Sequence, residues 1–210
     1  MNIIVFGATG TIGKHALTQA LEKGYKVYAF CRDKEKISDI SHPNLETITG
    51  DVMNITDVKK AIRNMDVVII TLGSGKSRKS IVRSEGTKNI IASMSENGLS
   101  RLICQSTLGT YESNENLNFF WKRIMFGWYL KQIFLDHELQ DKFVMESGLD
   151  WTIARPGAFT DGEKTGEYLH GFGPKEKSLK LKISRADVAD FILRQITDRS
   201  YLHKTPGLSY

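Results

Sequence analysis

The chain opens Met1-Asn2-Ile3-Ile4-Val5-Phe6-Gly7-Ala8-Thr9-Gly10-Thr11-Ile12-Gly13, "MNIIVFGATGTIG". Apolar β-formers run straight into glycines at 7, 10 and 13. Glycine costs backbone entropy on folding, so such a cluster has to be required by geometry or by a ligand. From about Thr11 onward Ile12, Ala16, Leu17, Ala20 and Leu21 share one helical face, and Gly24 stops the helix. The opening therefore reads as strand, glycine turn, helix. In an open α/β sheet the first such turn faces the crevice where strand order reverses, and ligands bind there. Gly7 suits the tight turn out of the strand, Gly10 a close approach of the backbone to a ligand, and Gly13 close packing of helix on strand. The helix N-terminus adds unpaired N–H groups and a partial positive charge.

The same alternation continues outward. Lys26–Cys31 and Leu45–Thr49 read as the second and third strands, and a short helix over about 56–63 precedes the strand-like "DVVIITLG". A helix from about Ser80 to Asn97 ends at Gly98, "RLICQS" is a fifth strand, and "DWTIARPG" a sixth, stopped by Pro156 and Gly157. Ser184-Arg185-Ala186-Asp187 reads as a capping box opening a late helix with Val188, Phe191, Ile192 and Ile196 inward. Strands alternating with helices predict a doubly wound, mainly parallel Rossmann-type sheet with helices on both faces. No internal repeat or low-complexity linker interrupts 1–210, which reads as a single domain.

Composition narrows the class of function. A net charge of +5, from 29 Lys/Arg against 24 Asp/Glu, suits an anionic ligand and is too diffuse to imply nucleic acid. The two cysteines, Cys31 and Cys104, lie in apolar runs and read as buried thiols of a reducing compartment. No secretory signal precedes the first strand and no stretch of ~18 residues is apolar and charge-free, so a cytoplasmic protein without a spanning helix is expected. No metal ligand set is assigned.

The spacing is G-x-x-G-x-x-G rather than G-x-G-x-x-G. "GATGTIG" resembles the extended and atypical branches of the short-chain dehydrogenase/reductase superfamily, which bind nicotinamide dinucleotides. The resemblance implies that Gly7, Ala8, Thr9, Gly10, Thr11, Ile12 and Gly13 form the pyrophosphate loop. "GDV" at 50–52 (Asp51, Val52) resembles the adenine-side loop, "LG" at 72–73 with Ser74 the mid-cofactor loop, and "ARPG" at 154–157 (Arg155, Pro156, Gly157) the nicotinamide-side loop. An acid at the end of the second strand usually binds the ribose hydroxyls of NAD. Here the strand ends "AFCRDK": Arg32, with Lys34 nearby, suits a 2′-phosphate, whereas Asp33 suits ribose hydroxyls. On balance NADP(H) is expected over NAD(H).

The superfamily's usual acid/base pair is Tyr-x-x-x-Lys. None of the seven tyrosines is followed four residues later by lysine, and the matching positions fall on about Ile133 and His137. "FGATGTIG", "RD", "SEGTKNI" at 84–90, "ESGL" at 146–149 and the segment "DFILRQITDRSYLHKTPGLSY" together resemble the flavin reductase/biliverdin-IXβ reductase group and the NmrA-like proteins. That resemblance implies hydride transfer to a flavin such as FMN, or to a similar planar acceptor, without the Tyr/Lys pair. It places Ser106, Thr107 and His137 beside the nicotinamide as candidate catalytic residues. The reductase group carries a histidine where this chain has Ala158, a departure that bears on tetrapyrrole reduction. Two rivals stay open: a non-catalytic NADP(H) sensor, and an epimerase-like enzyme with unorthodox acid/base residues.

Residues 117–134, "LNFFWKRIMFGWYLKQIF", concentrate seven aromatic residues. With about 107–116 and 157–182 they are expected to build the substrate wall; packing into the core, a dimer contact and a peripheral membrane contact through residues 122, 123 and 131 are the alternatives. A monomer or homodimer is expected.

Overall fold

Strands buried on both faces need apolar residues at every position, and β1 (Asn2–Phe6) has them from Ile3 to Phe6. In the computed structural model, which describes residues 1–75, 77, 79–176 and 178–210, the chain order is β1, α1 (Thr11–Glu22), β2 (Lys26–Cys31), β3 (Leu45–Thr49), α2 (Ile55–Ala61), β4 (Val67–Ile70), α3 (Val82–Glu96), β5 (Arg101–Gln105), α4 (Lys131–Met145), β6 (Asp150–Pro156), β7 (Ala158–Thr160), β8 (Leu169–His170), β9 (Lys182–Ser184), α5 (Arg185–Arg194) and β10 (Gly207–Ser209). Among the described residues eight strands form one sheet in the order β3-β2-β1-β4-β5-β6-β10-β8, parallel except for β8. Ile3 and Val5 join a cluster with Leu17 of α1 and Phe191 of α5 on one face. Ile4 and Phe6 join Val58 of α2, Ile90 of α3 and Val144 of α4 on the other. Each such fully buried side chain contributes about 1.5–3 kcal/mol relative to its exposed state. The doubly wound arrangement is as expected, and strand order reverses between β1 and β4.

Where the chain departs from expectation, the cause is contact with residues distant in sequence. The pairs β7–β9 and β8–β10 escape periodicity, because two or three residues cannot display a period. Ser184 does cap α5, its Oγ accepting from Asp187 N at 3.0 Å. The reciprocal half of the capping box is absent: the Asp187 carboxylate instead accepts from Thr165 N at 2.9 Å, Gly166 N at 2.8 Å and the Tyr210 hydroxyl at 2.6 Å. Residues 120–129 wind as a π-helix in which no side chain is buried, so this stretch is not a core element. Cys31 and Cys104 are free and buried, and burial pushes both thiols' pKa up.

Candidate functional site

A cleft of about 1100 Å³ opens along the C-terminal ends of β1, β2, β4, β5 and β6. Its floor begins with the glycine loop. Gly7 has φ +89°, and a Cβ there would lie 2.4 Å from the Thr71 carbonyl oxygen, so the turn admits glycine alone. A Cβ at Gly13 would meet the Gly7 oxygen at 2.2 Å, which is why α1 can lie so close to β1. Gly10 is the N-cap of α1; it contributes no side-chain cap, and no acid occupies the first turn. The first N–H groups of α1 therefore face the cleft without an internal acceptor from that cap, as an anion site requires. Thr9, Thr11 and Ile12 line the cleft with Gly7 and Gly10, whereas Ala8 and Gly13 are buried behind it.

At the β2 end Arg32 lines the cleft and carries no ion pair among the described residues. Asp33 turns away: its carboxylate accepts from Glu35 N at 3.1 Å and caps a short 3₁₀ turn over 34–37. The second cation here is Lys36, one turn further on, rather than Lys34. Asp51 and Val52 also line this end, the Asp51 carboxylate accepting from Met53 N at 3.0 Å and the Val52 carbonyl from Asn89 Nδ2 at 3.0 Å. Leu72, Gly73 and Ser74 follow β4 along the middle. Thr71 pins this loop to the glycine turn, its hydroxyl within 3.2 Å of the Phe6 oxygen and 3.3 Å of the Gly7 oxygen.

Beyond β5 the cleft brings together Ser106, Thr107 and His137. Ser106 Oγ and His137 Nδ1 stand 3.5 Å apart, at the outer limit of a hydrogen bond. His137 is buried, and burial first, then the nearby Arg83 charge, holds its pKa well below the usual histidine value. The imidazole is neutral at neutral pH. Pro156 and Gly157 close the floor together with Ala158, Phe159 and Leu181.

Arg155, expected on this wall, is buried behind it instead. Its Nε donates to Asp141 Oδ2 at 3.0 Å and its Nη1 to Glu112 Oε1 at 2.6 Å, while Thr110 Oγ1 also reaches Asp141 at 2.8 Å. Burial raises the Asp141 pKa against the pull of the Arg155 charge. This network ties α4 and the loop after β5 to β6, so Arg155 holds up the β5–β6 end of the cleft from beneath.

The segment after β5 has two faces. Trp121, Phe126, Leu130, Ile133 and Phe134 line the cleft, with the Phe126 and Phe134 rings stacked at 4.6 Å and 24°. Phe119 and Trp128 lie 73% and 78% exposed on the outer side. Sequence reasoning missed Arg83 and Lys79, which also line the cleft. Arg83 sits on the first turn of α3, and the signal was a cation beside the apolar Ile81-Val82 immediately after a glycine-bearing strand-end loop.

A glycine loop at the reversal point of a parallel sheet, opening an uncapped helix into a long cleft, defines a dinucleotide-binding protein. The chain belongs to the NAD(P)H-binding family, whose match covers residues 7–199. It is 31% identical over 113 residues to a 3-beta-hydroxysteroid dehydrogenase of Mycolicibacterium neoaurum, an overlap covering 48% of this chain and 30% of that enzyme's length. Among solved structures, the anaerobilin reductase ChuY from Escherichia coli O157:H7 superposes with a TM-score of 0.83 at 24% identity, covering 100% of this chain and 97% of that one. A wide-type short-chain dehydrogenase/reductase from Veillonella parvula, solved in complex with NADP, superposes at 0.83 with 18% identity, covering 100% and 94%. At these identities the structures establish the fold. Among the described residues no helix is long and apolar enough to cross a membrane.

Proposed function

We propose that the protein is an NADPH-dependent reductase of a planar acceptor, a flavin such as FMN or a ring system of similar shape. The observation that carries this reading is the cleft itself, which offers cations at the β2 end, an uncapped helix N-terminus in the middle, and stacked aromatic rings beyond β5. Bound there, the dinucleotide would supply a hydride. Gly10 and the α1 N–H groups would hold the pyrophosphate, and Asp51 and Val52 would border the adenine. Arg32 and Lys36 would take a 2′-phosphate, and the engagement of Asp33 in its own turn supports NADP over NAD. Leu72, Gly73 and Ser74 would cover the middle of the cofactor, with Pro156 and Gly157 at its nicotinamide end.

On the acceptor side Trp121, Phe126 and Phe134 stack and exclude water, which supplies proximity and orientation. Ser106 or Thr107 would orient the carboxamide or an acceptor carbonyl. The neutral His137 is a poor proton donor, in keeping with hydride transfer that takes its proton from solvent and needs no Tyr/Lys pair. The fold relationship to an anaerobilin reductase agrees with a flat acceptor.

NADPH oxidation followed on addition of FMN tests the proposal, with steady turnover expected. The exposed outer face at Phe119 and Trp128 favours a second reading, an NADP(H) sensor that gates a protein partner. Binding of both NADP⁺ and NADPH without turnover on flavins, bilins or quinones would select the sensor.

A further inference from the structure

The side of residues 119–131 turned away from the cleft is apolar and basic at once. Between Glu115 and Asp136 the chain holds Lys122, Arg123 and Lys131 and no acid, and Asp136 itself is buried. Phe119, Phe120, Ile124, Trp128 and Tyr129 are exposed, as are Arg123 and Lys131. None of the three cations carries an ion pair among the described residues.

The π-helical winding gathers these groups onto one side. Hydrogen bonds across five residues, such as Leu130 N to the Met125 oxygen at 2.7 Å, stack residues four, five and nine apart. Phe119, Arg123, Ile124 and Trp128 have that spacing, and so do Trp121, Met125, Phe126 and Leu130 two residues on. The first set is exposed, whereas Trp121, Phe126 and Leu130 of the second line the cleft. At about 3.6 residues per turn Phe119 and Trp128 would lie on opposite sides of an α-helix.

A contiguous apolar face of this kind marks a contact site, and its charge selects the occupant. Two copies meeting through it across a two-fold axis would set three cations against three, with no acid of the segment to balance them. An anionic lipid surface answers both halves of the composition. Aromatic and aliphatic side chains enter the headgroup region while Arg and Lys meet the lipid phosphates and carboxylates.

We propose that residues 119–131 are an interfacial anchor that docks the protein on an anionic lipid surface. Phe119, Ile124 and Trp128 insert, and Arg123 and Lys131 lie at the headgroups. The docking is peripheral, and it stands or falls independently of whether the cleft houses a reductase or a sensor.

Cosedimentation of the full chain with vesicles tests this, comparing phosphatidylcholine alone with phosphatidylcholine carrying about 30 mol % phosphatidylserine. The wild type should bind the anionic vesicles at least tenfold more tightly. Each basic side chain at such a surface contributes about fivefold, so Arg123→Gln with Lys131→Gln should weaken binding at least tenfold. Phe119→Ser with Trp128→Ser should weaken it at least tenfold through lost insertion. Both pairs should melt within a few degrees of the wild type, since the altered side chains are exposed. Lys23→Gln with Arg63→Gln removes two exposed charges at the opposite end of the strands and should leave binding within twofold. Equal weakening by that control pair would mean adsorption through diffuse net charge and would overturn the proposal. Failure to prefer anionic vesicles, or full binding by the Phe119/Trp128 pair, overturns it as well. So does a dimer in vesicle-free sedimentation velocity that the Phe119/Trp128 pair dissociates, because the face would then belong to a second copy.

Discussion

The glycine loop and the aromatic segment border one cleft and are built in opposite ways. Around Gly7 and Gly10 the cleft is backbone, held by contacts so close that a Cβ at Gly7 or Gly13 would overlap a carbonyl oxygen. Around Trp121 and Phe126 the cleft is side chain, carried on a π-helical stretch with no buried residue and with large apolar groups in solvent on its far side. A wall made of main chain recognises what all its ligands share, a pyrophosphate, and tolerates little change. A wall made of side chains on an irregular helix can be repacked for a different ligand without disturbing the sheet.

The sharpest way to break this contrast is at Gly10. A Cβ there lies 3.1 Å from the Gly7 oxygen and 3.8 Å from the Thr71 oxygen, on the cleft-lining turn, so Gly10→Val should abolish dinucleotide binding while the fold largely survives. Isothermal titration with NADPH beside a thermal melt reads both; a folded variant with normal affinity would make the glycines purely structural. Next in size is Arg32→Ala, which should weaken NADPH by roughly 1–3 kcal/mol and NADH far less, as dissociation constants for the two cofactors will report. Equal losses would remove the 2′-phosphate contact.

On the side-chain wall the expected effects are smaller. His137→Gln should keep single-turnover NADPH oxidation with saturating FMN within about tenfold, or ~1.4 kcal/mol in the barrier. A hundredfold loss at unchanged cofactor affinity would expose a proton donor at this position. The same residue has a stability signature. An unfolded histidine takes up its proton near pH 6.5, whereas burial and Arg83 keep folded His137 neutral well below that. Between those two values the unfolded chain binds the extra proton, so stability falls as pH falls below 6.5, by at most ~1.4 kcal/mol per unit. Urea titrations at pH 7.5 and 5.5 should show a smaller difference for His137→Gln than for the wild type. Smallest of all, Trp128→Ser and Phe119→Ser should each change stability by no more than ~0.5 kcal/mol, because their side chains are mostly in solvent. A loss of 2 kcal/mol in a dilute denaturant titration would mean the outer face is covered, by a second copy or another partner.

Legibility in the sequence divides along the same line. β2 and β3 run over the expected residues, and the cleft forms where the glycine turn placed it, because period, caps and turn residues are local signals. Lys36 replacing Lys34 is a matter of one 3₁₀ turn, which Asp33 itself nucleates. Asp187 looked like half a capping box and became an acceptor for Thr165, Gly166 and Tyr210, groups that only the folded chain brings near. Arg155 belonged to the right motif, yet its side chain serves the buried network with Asp141 and Glu112 behind the wall. Arg83 carried no expectation from the sequence; only the packing of α4 against α3 encloses it beside Asp136.

The position of β10 has a consequence for the order in which the chain can be made. β8 is the outermost strand, and the sheet reaches it only through β10, which lies between it and β6. Residues 169–170 therefore leave the ribosome with no strand to pair with until 207–209 emerge, a wait of a few seconds at roughly 5–20 residues per second. During that interval the edge of β6 is bare, a row of unpaired backbone groups beside a hydrophobic core. Nascent chains stalled between 170 and 207 should be the ones most readily captured by chaperones, while those stalled past 210 should resist protease at the β6 edge.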